Sequence, residues 1–512
     1  MFIFKVLKLI QKRIVIVGLL ILIQVIWGIS MLTRLAVYSD WLNMFLTAIS
    51  VLVVLYVVSK DENPAYKLAW IIPILVFPLF GGILYLCFGD KRPTKRMRRK
   101  MDLAAARYAA YPIADESLLK KIEAEDKVAY GQVKYIQEYA HFPVYENTQS
   151  TYYKSAEECF PVLLEELRKA KKFIFMEYFI IENGQMWTTI LDVLIEKAKE
   201  GVEVRLLYDD MGCIALLPYK YYEKLGKYNI LSRAFNPVIP FFSLVMNNRD
   251  HRKITVIDGN IGFMGGWNLS DEYINLEQPF GYWKDTAVLL KGDAVWNLTS
   301  MFLVNWNTVL NDEDERIEKY MPTPLENAEL AQGYVLPYGD SPLDRENVSE
   351  NVYLNMINAA QDYIYITTPY LVIDNEMITA LILAAKRGVD VRIITPGIPD
   401  KRYVFWLTQS YYAQLVTGGV KIYQYDPGFV HAKSFVSDDK FAIVGTINLD
   451  YRSLYLHFEC GTFFYKTPVV EQVKKDLLAM MEESTLQTLA MTQKGLIRRL
   501  VQAVLRVFAP LM

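Results

Sequence analysis

Two segments of this 512-residue chain carry a histidine, a lysine and an aspartate at one spacing. In HRKITVID they are His251, Lys253 and Asp258, and in HAKSFVSD they are His431, Lys433 and Asp438. Each segment is followed by a small pair, Gly265-Gly266 or Gly445-Thr446, and then by an asparagine, Asn268 or Asn448. A phosphodiester is negatively charged and repels anionic nucleophiles, so cationic donors must spread the charge of its pentacoordinate state. Lys253 and Lys433 suit that task, with Asn268 and Asn448 as neutral donors. One imidazole can attack phosphorus to give a phospho-histidine. The other can protonate the leaving alkoxide and then deprotonate the incoming hydroxyl. Each motif aspartate, Asp258 and Asp438, is expected to orient a histidine and support its charged form. With two lysines supplying positive charge, this chemistry calls for no metal or other cofactor.

Positioning such groups needs rigid elements. Alternate residues of a strand point the same way, so His-x-Lys on a strand aims both side chains at one target and turns Arg252 away. The segments around the motifs read as α/β. The apolar run Lys172–Ile181, a helical stretch from Trp187 to Glu200 and the strand Val202–Asp210 recur as Asp362–Ile373, Glu376–Arg387 and Val389–Gly397. AKEGVEVR from Ala198 matches AKRGVDVR from Ala385, and the motif histidines lie 431 − 251 = 180 residues apart. The chain is therefore an internal duplication, and one site assembled from two halves is the expectation. The strand–helix–strand order predicts mixed or parallel sheets flanked by helices.

Composition narrows the setting. A formal net charge of −2 offers no basic excess for nucleic acid. Cys87, Cys159, Cys213 and Cys460 are far apart with no CxxC pair, which argues against a disulfide framework or a cysteine zinc site. The apolar excess lies at the N-terminus, where residues 14–32, 41–58 and 68–88 form three uncharged runs near the length of a membrane span. The third contains Pro73 and Pro78 and is expected to be kinked. Lys91 to Lys100 carries a dense basic cluster that places everything downstream in the cytoplasm. Lys5 to Arg13 makes the same claim for the other end, so the topology of the first run stays open. The expected domains are a membrane anchor at 1–100, halves at 101–320 and 321–490, and a basic amphipathic interfacial helix at 491–512. The acidic stretch Asn311–Tyr320 reads as a linker between the halves. The apolar loop Pro237–Met246, just before the first motif, is expected either to touch lipid or to pack in the core. His141 and His457 lack the motif companions and read as structural or surface residues.

The paired motifs are similar to the HKD motifs of the phospholipase D superfamily, and the chain resembles bacterial cardiolipin synthases more closely still. Asn63–Gly89, TTPYLVIDNEM from Thr367 and GTINLDYRSLYLHFE from Gly445 carry the resemblance, which runs from about residue 40 to the C-terminus. It implies a duplicated phospholipase D-like α/β/α sandwich, with two pseudo-symmetric halves forming one active site, behind N-terminal transmembrane helices. It implies further that two phosphatidylglycerol molecules react to give cardiolipin and free glycerol without a cofactor, in a multi-pass protein of the cell membrane with its catalytic domain on the cytoplasmic side. Glu177 and Glu459 resemble acidic residues that relatives place near the site, and Arg452 and Ser453 are candidates for the second phosphate. The resemblance favours His251 as nucleophile, although the duplication makes the two histidines nearly symmetric. A hydrolytic membrane phospholipase D shares every catalytic residue; a phosphatidylserine synthase and a membrane scaffold are the other readings. The implied partners are phosphatidylglycerol, cardiolipin and an anionic membrane surface, with no nucleic acid and a homo-oligomer left open.

Overall fold

The computed structural model describes residues 40–76, 95–109, 115–238, 247–310, 316–324, 330–343 and 346–511, with isolated positions at 22, 26, 30, 81, 82, 85 and 89. All of the first apolar run but positions 22, 26 and 30, most of the Pro237–Met246 loop and the start of the acidic linker lie outside the described residues.

In the first half the strands are β1 (Thr148–Tyr153), β2 (Phe173–Tyr178), β3 (Glu203–Asp209), β4 (Leu231–Phe235), β5 (Lys253–Ile257), β6 (Ile261–Gly265), β7 (Tyr282–Lys284) and β8 (Ala287–Gly292). In the second they are β9 (Tyr334–Asp340), β10 (Tyr363–Thr367), β11 (Leu371–Val372), β12 (Asp390–Pro396), β13 (Lys421–Tyr425), β14 (Gly428–Val430), β15 (Ser434–Ser437), β16 (Phe441–Gly445), β17 (Leu449–Asp450), β18 (Glu459–Tyr465) and β19 (Ser484–Leu486). One sheet runs β1-β8-β6-β5-β2-β3-β4 and the other β19-β13-β12-β10-β15-β16-β18-β9. In both, two successive strand–helix–strand steps give parallel pairs, β2-β3-β4 and β10-β12-β13. The motif strands β5 and β15 join antiparallel to β2 and β10. The repeated segments thus occupy equivalent places in two mixed sheets.

Each motif strand is apolar on both faces because both faces are covered. Ile254, Val256, Phe435 and Val436 are fully buried. One core gathers Phe175, Val256, Val288 and Trp306 from the first half with Val436, Val444, Phe464 and Leu477 from the second, so the sheets face each other across a shared interior. The helices Val295–Leu310 and Pro468–Glu482 fill it, and each reaches the other half's sheet: the first touches β9, the second β1.

The helices that begin at Asp40 and Pro64 meet the C-terminal segment on the second half. The helices Asp40–Ser59 and Pro64–Val76 pack together through Val53, Val57, Tyr66, Trp70 and Ile74, with Leu511 against them. Asn63 donates to Asp374 and Tyr455, tying this helical pair to the second half. Among the described residues no helix is long and apolar enough to cross a membrane. The C-terminal helix Leu496–Phe508 has the amphipathicity read from its sequence. Arg498 bonds Gln409 and lies over the Trp406 ring, Arg506 lies over Tyr411, and buried Gln502 donates to the Trp406 carbonyl. The polar side therefore faces the protein, while Leu496, Ile497 and Leu500 are 83%, 81% and 67% exposed. The helix presents its apolar face outward, which rules out core packing as the use of that face.

Candidate active site

His251 lies just before β5, whose first residue is Lys253, while Lys433 is the last residue before β15. Both histidines are strapped to the opposite half by backbone. The His251 N–H donates to the Phe458 carbonyl, and the His431 N–H donates to the Lys284 carbonyl. The short strands β14 and β7 pair in parallel, continuing the second strap. The motifs are thereby brought together at the seam between the halves, buried, with each histidine 7% exposed. Lys253 Nζ reaches back to the His251 carbonyl at 2.6 Å, and Lys433 Nζ lies 2.9 Å from His431 Nδ1.

The side-chain partners of the histidines also cross the seam. His251 Nδ1 sits 2.9 and 3.1 Å from the two Glu459 oxygens, and His431 Nδ1 sits 2.7 Å from Asp285 Oδ2. A carboxylate on Nδ1 holds the proton there and leaves Nε2 with its lone pair toward the site. Each half therefore lends its carboxylate to the other half's imidazole.

The expectation for Asp258 and Asp438 is corrected here. Asp258 accepts the backbone N–H groups of Lys171, Lys172 and Phe173 at 2.8, 2.7 and 2.9 Å. Asp438 does the same for Gln361, Asp362 and Tyr363 at 2.8, 3.0 and 2.9 Å. Both sit at positive φ, 53° and 54°, in the hairpin turn after the motif strand. An extended strand rises about 3.3 Å per residue, so seven residues carry the aspartate about 23 Å from its histidine. These aspartates fasten the motif hairpin to the start of the neighbouring antiparallel strand, β2 or β10.

Glu177 is corrected too. It is buried behind the first motif, 3.3 Å from Arg252 Nε, and accepts from Asn305 at 2.8 Å. Burial pushes its carboxyl well above the usual range, with Arg252 opposing and Asp250 adding to the rise. Arg252 does turn away from the histidine side, and with Phe458 it lines a cavity of about 490 Å³ that neither motif histidine touches.

Of the other candidates, Glu459 is in the site. Asn268 is committed to structure: its Oδ1 accepts from Ile180 N–H and its Nδ2 donates to the Tyr273 hydroxyl. Asn448 is buried with Oδ1 unpartnered among the described residues, as is the Ser453 hydroxyl. The Arg452 carbonyl accepts the His457 N–H, so the DYRS turn backs directly onto the site.

Two residues escaped the sequence reading. Asp285 follows Asn268 by 17 residues where Glu459 follows Asn448 by 11, and this unequal spacing hid the equivalence. His457 is no surface residue: its ring lies 5.6 Å from that of His251, and its Nδ1 is 3.8 Å from Glu459 Oε1. Its only sequence signal is lying two residues before Glu459.

Burial and crowding of like charge set the protonation of the site. Desolvation, then the lysines, hold His251 well below the usual imidazole range. Desolvation and Lys433 bring His431 down to about 4 against the pull of Asp285. Desolvation lowers Lys253 to about 8 and Lys433 to about 7. Asp285 is held below the ordinary carboxylate range: burial opposes this, but His431 and Lys433 outweigh it. The result is a pair of neutral imidazoles beside a charged Asp285 and two readily discharged lysines, and it is the lysines that offer positive charge to an anionic phosphodiester.

Comparison with known proteins agrees with this geometry. A family described as cardiolipin synthase, PLD-like domain, matches residues 163–284 and 353–481, and a phospholipase D-nuclease N-terminal family matches 46–89. A cardiolipin synthase of Geobacillus thermodenitrificans is 34% identical over 98% of both chains. Cardiolipin synthase 2 of Bacillus anthracis is 34% identical over 88% of both. In fold, phosphatidylserine synthase of Haemophilus influenzae superposes with a TM-score of 0.54 at 17% identity, covering 71% of this chain and 93% of that one.

Proposed function

This chain belongs to the cardiolipin synthase family of phospholipase D-like proteins, and we propose that it transfers a phosphatidyl group between two phosphatidylglycerol molecules, giving cardiolipin and glycerol. The carrying observation is the exchange of carboxylates across the seam, Glu459 to His251 and Asp285 to His431, which readies two imidazoles in one buried pocket beside two lysines. His251 attacks phosphorus through Nε2. The P–O bond to the headgroup glycerol breaks, and that alkoxide takes the Nε2 proton of His431, which is charged to imidazolium as the anionic phosphodiester binds. His431 then removes the proton from a hydroxyl of the second phosphatidylglycerol as it displaces His251. Lys253 and Lys433 hold the phosphate oxygens, with Asn448 as a neutral donor and Arg452 and Ser453 toward the second phosphate. Attack is assigned to His251 because both Glu459 oxygens face its Nδ1, whereas Asp285 and Lys433 compete for that of His431.

A lipid substrate calls for a protein at a membrane, and the reading extends to a multi-pass protein with this site on the cytoplasmic side. Supporting that are the three apolar runs, the basic cluster at Lys91–Lys100 and the outward apolar face of the C-terminal helix. The domain limits near residues 100, 320 and 490 belong to the same reading.

The test is purified full-length protein in vesicles of phosphatidylglycerol alone. Cardiolipin and glycerol in equal amounts are expected, with loss of at least about 10³-fold in His251→Ala and in His431→Ala. Phosphatidic acid as the sole lipid product would establish the hydrolase instead. A covalent lipid adduct is expected to accumulate in His431→Ala and to be absent from His251→Ala.

A further inference from the structure

His457 is buried, and neither of its ring nitrogens has a hydrogen-bond partner among the described residues. A buried imidazole left unsatisfied is costly unless something else meets it. What faces it is specific. One donor atom each from His251, His457 and Glu459 lie within 4.8 Å of one another, all three residues buried. Two pairs are closer, 2.9 Å for His251 Nδ1 to Glu459 Oε1 and 3.8 Å for His457 Nδ1 to the same oxygen. Ligands at about 2.0–2.1 Å around a tetrahedral zinc ion stand about 3.3 Å apart, so ring rotations of an ångström or less would close the set.

We propose that His251, His457 and Glu459 form a binding site for a divalent transition-metal ion of the zinc type, and that filling it switches the enzyme off. Two imidazoles and one carboxylate with a fourth position open match zinc-like ions. Lys253 and Lys433 penalise any added cation, so only an ion that gains strongly from imidazole nitrogen binds. Magnesium and calcium, which seek oxygen, gain little. The metal takes the Nδ1 lone pair of neutral His251, so the ring proton moves from Nδ1 to Nε2. With Nε2 protonated, the imidazole to which attack on phosphorus is assigned has no lone pair to offer. Metal binding stands on geometry alone, whereas the inhibitory consequence rests on the proposed role of His251.

The test uses the full-length protein without substrate. Titration calorimetry with Zn²⁺ should show one site per chain, and Co²⁺ should give the visible absorption of a tetrahedral centre. His457→Asn should weaken Zn²⁺ binding by at least about 100-fold, since it removes a direct ligand. His141→Asn, which changes a histidine outside the site, should leave binding intact, and a thermal melt of each variant reports its folding. In phosphatidylglycerol vesicles Zn²⁺ should inhibit turnover, a chelator should restore it, and Mg²⁺ should do neither. Absence of a Zn²⁺ site in the wild-type chain, or binding that survives both His457→Asn and Glu459→Gln, overturns the proposal. A Zn²⁺ site in a chain that makes no cardiolipin leaves the metal site standing and removes only the transferase reading.

Discussion

The two halves place their motifs at equivalent points of equivalent sheets, yet they build different surroundings for the two imidazoles. Around His431 the partner is the shorter Asp285, and a Cβ at Gly266 would collide with that carboxylate. Around His251 the partner is Glu459. The position matching Gly266 is Thr446, whose hydroxyl donates to Glu459 Oε2 at 2.5 Å. The rings differ as well. His431 is walled by Tyr273, Trp283 and Phe429, whereas His251 meets Phe179 on one side and the second imidazole of His457 on the other. Duplication supplied two copies of one scaffold, and exchange of partners across the seam let each copy specialise the other's histidine. The lesson is that symmetry of backbone need not mean symmetry of chemistry.

The largest expected effect comes from breaking that exchange. Glu459→Gln and Asp285→Asn each keep the shape of the partner but allow the wrong imidazole tautomer, and turnover should fall by about 10²–10⁴-fold. Single-turnover kinetics then sharpen the comparison. Glu459→Gln should mainly slow formation of the adduct, while Asp285→Asn should also slow its capture by the second phosphatidylglycerol, where His431 is the base. Equal effects of the two variants on both steps would erase the proposed asymmetry.

A smaller effect is expected from pH. Lys433 and Lys253, lowered to about 7 and about 8, lose their protons as pH rises through that window, and with them the charge that binds phosphate. kcat/KM should therefore fall on the basic side by about tenfold per unit. Because the attacking His251 is held neutral to well below 6.5, the acid limb should lie below that value. Lys433→Arg, whose guanidinium stays charged, should move the basic limb upward.

Changes at the motif aspartates should cost stability rather than chemistry. Asp258→Ala and Asp438→Ala each strand three backbone N–H groups and should lower unfolding free energy by about 1–3 kcal/mol, with similar values in the two halves. A loss of kcat matching the carboxylate variants, without loss of stability, would reverse this assignment. The smallest effect is expected from Leu496→Ser with Leu500→Ser on the exposed helix face, which should weaken vesicle association several-fold and leave the melting temperature unchanged. Destabilisation instead would show that the face is covered by protein.

Much of the scaffold was legible because its signals are local. The apolar runs Lys172–Ile181 and Asp362–Ile373 contain the β2 and β10 core strands, and the AKEGVEVR repeat correctly placed equivalent helices and strands. Alternation along His-x-Lys correctly separated Arg252 from the histidine side. Assigning partners to the histidines failed, because closeness in sequence was taken for closeness in space along an extended strand.

The sequence by itself determined that this is a duplicated α/β chain with two imidazoles and two lysines suited to a phosphodiester. Periodicity and repetition are written in consecutive residues. Only the tertiary structure decided that Glu459 serves His251, that Asp285 serves His431, and that His457 joins them. Those contacts span 208 and 146 residues in the two histidine–carboxylate pairs. They exist because two sheets bury a common core and bring their motif ends to one seam, a consequence of packing that no local pattern encodes.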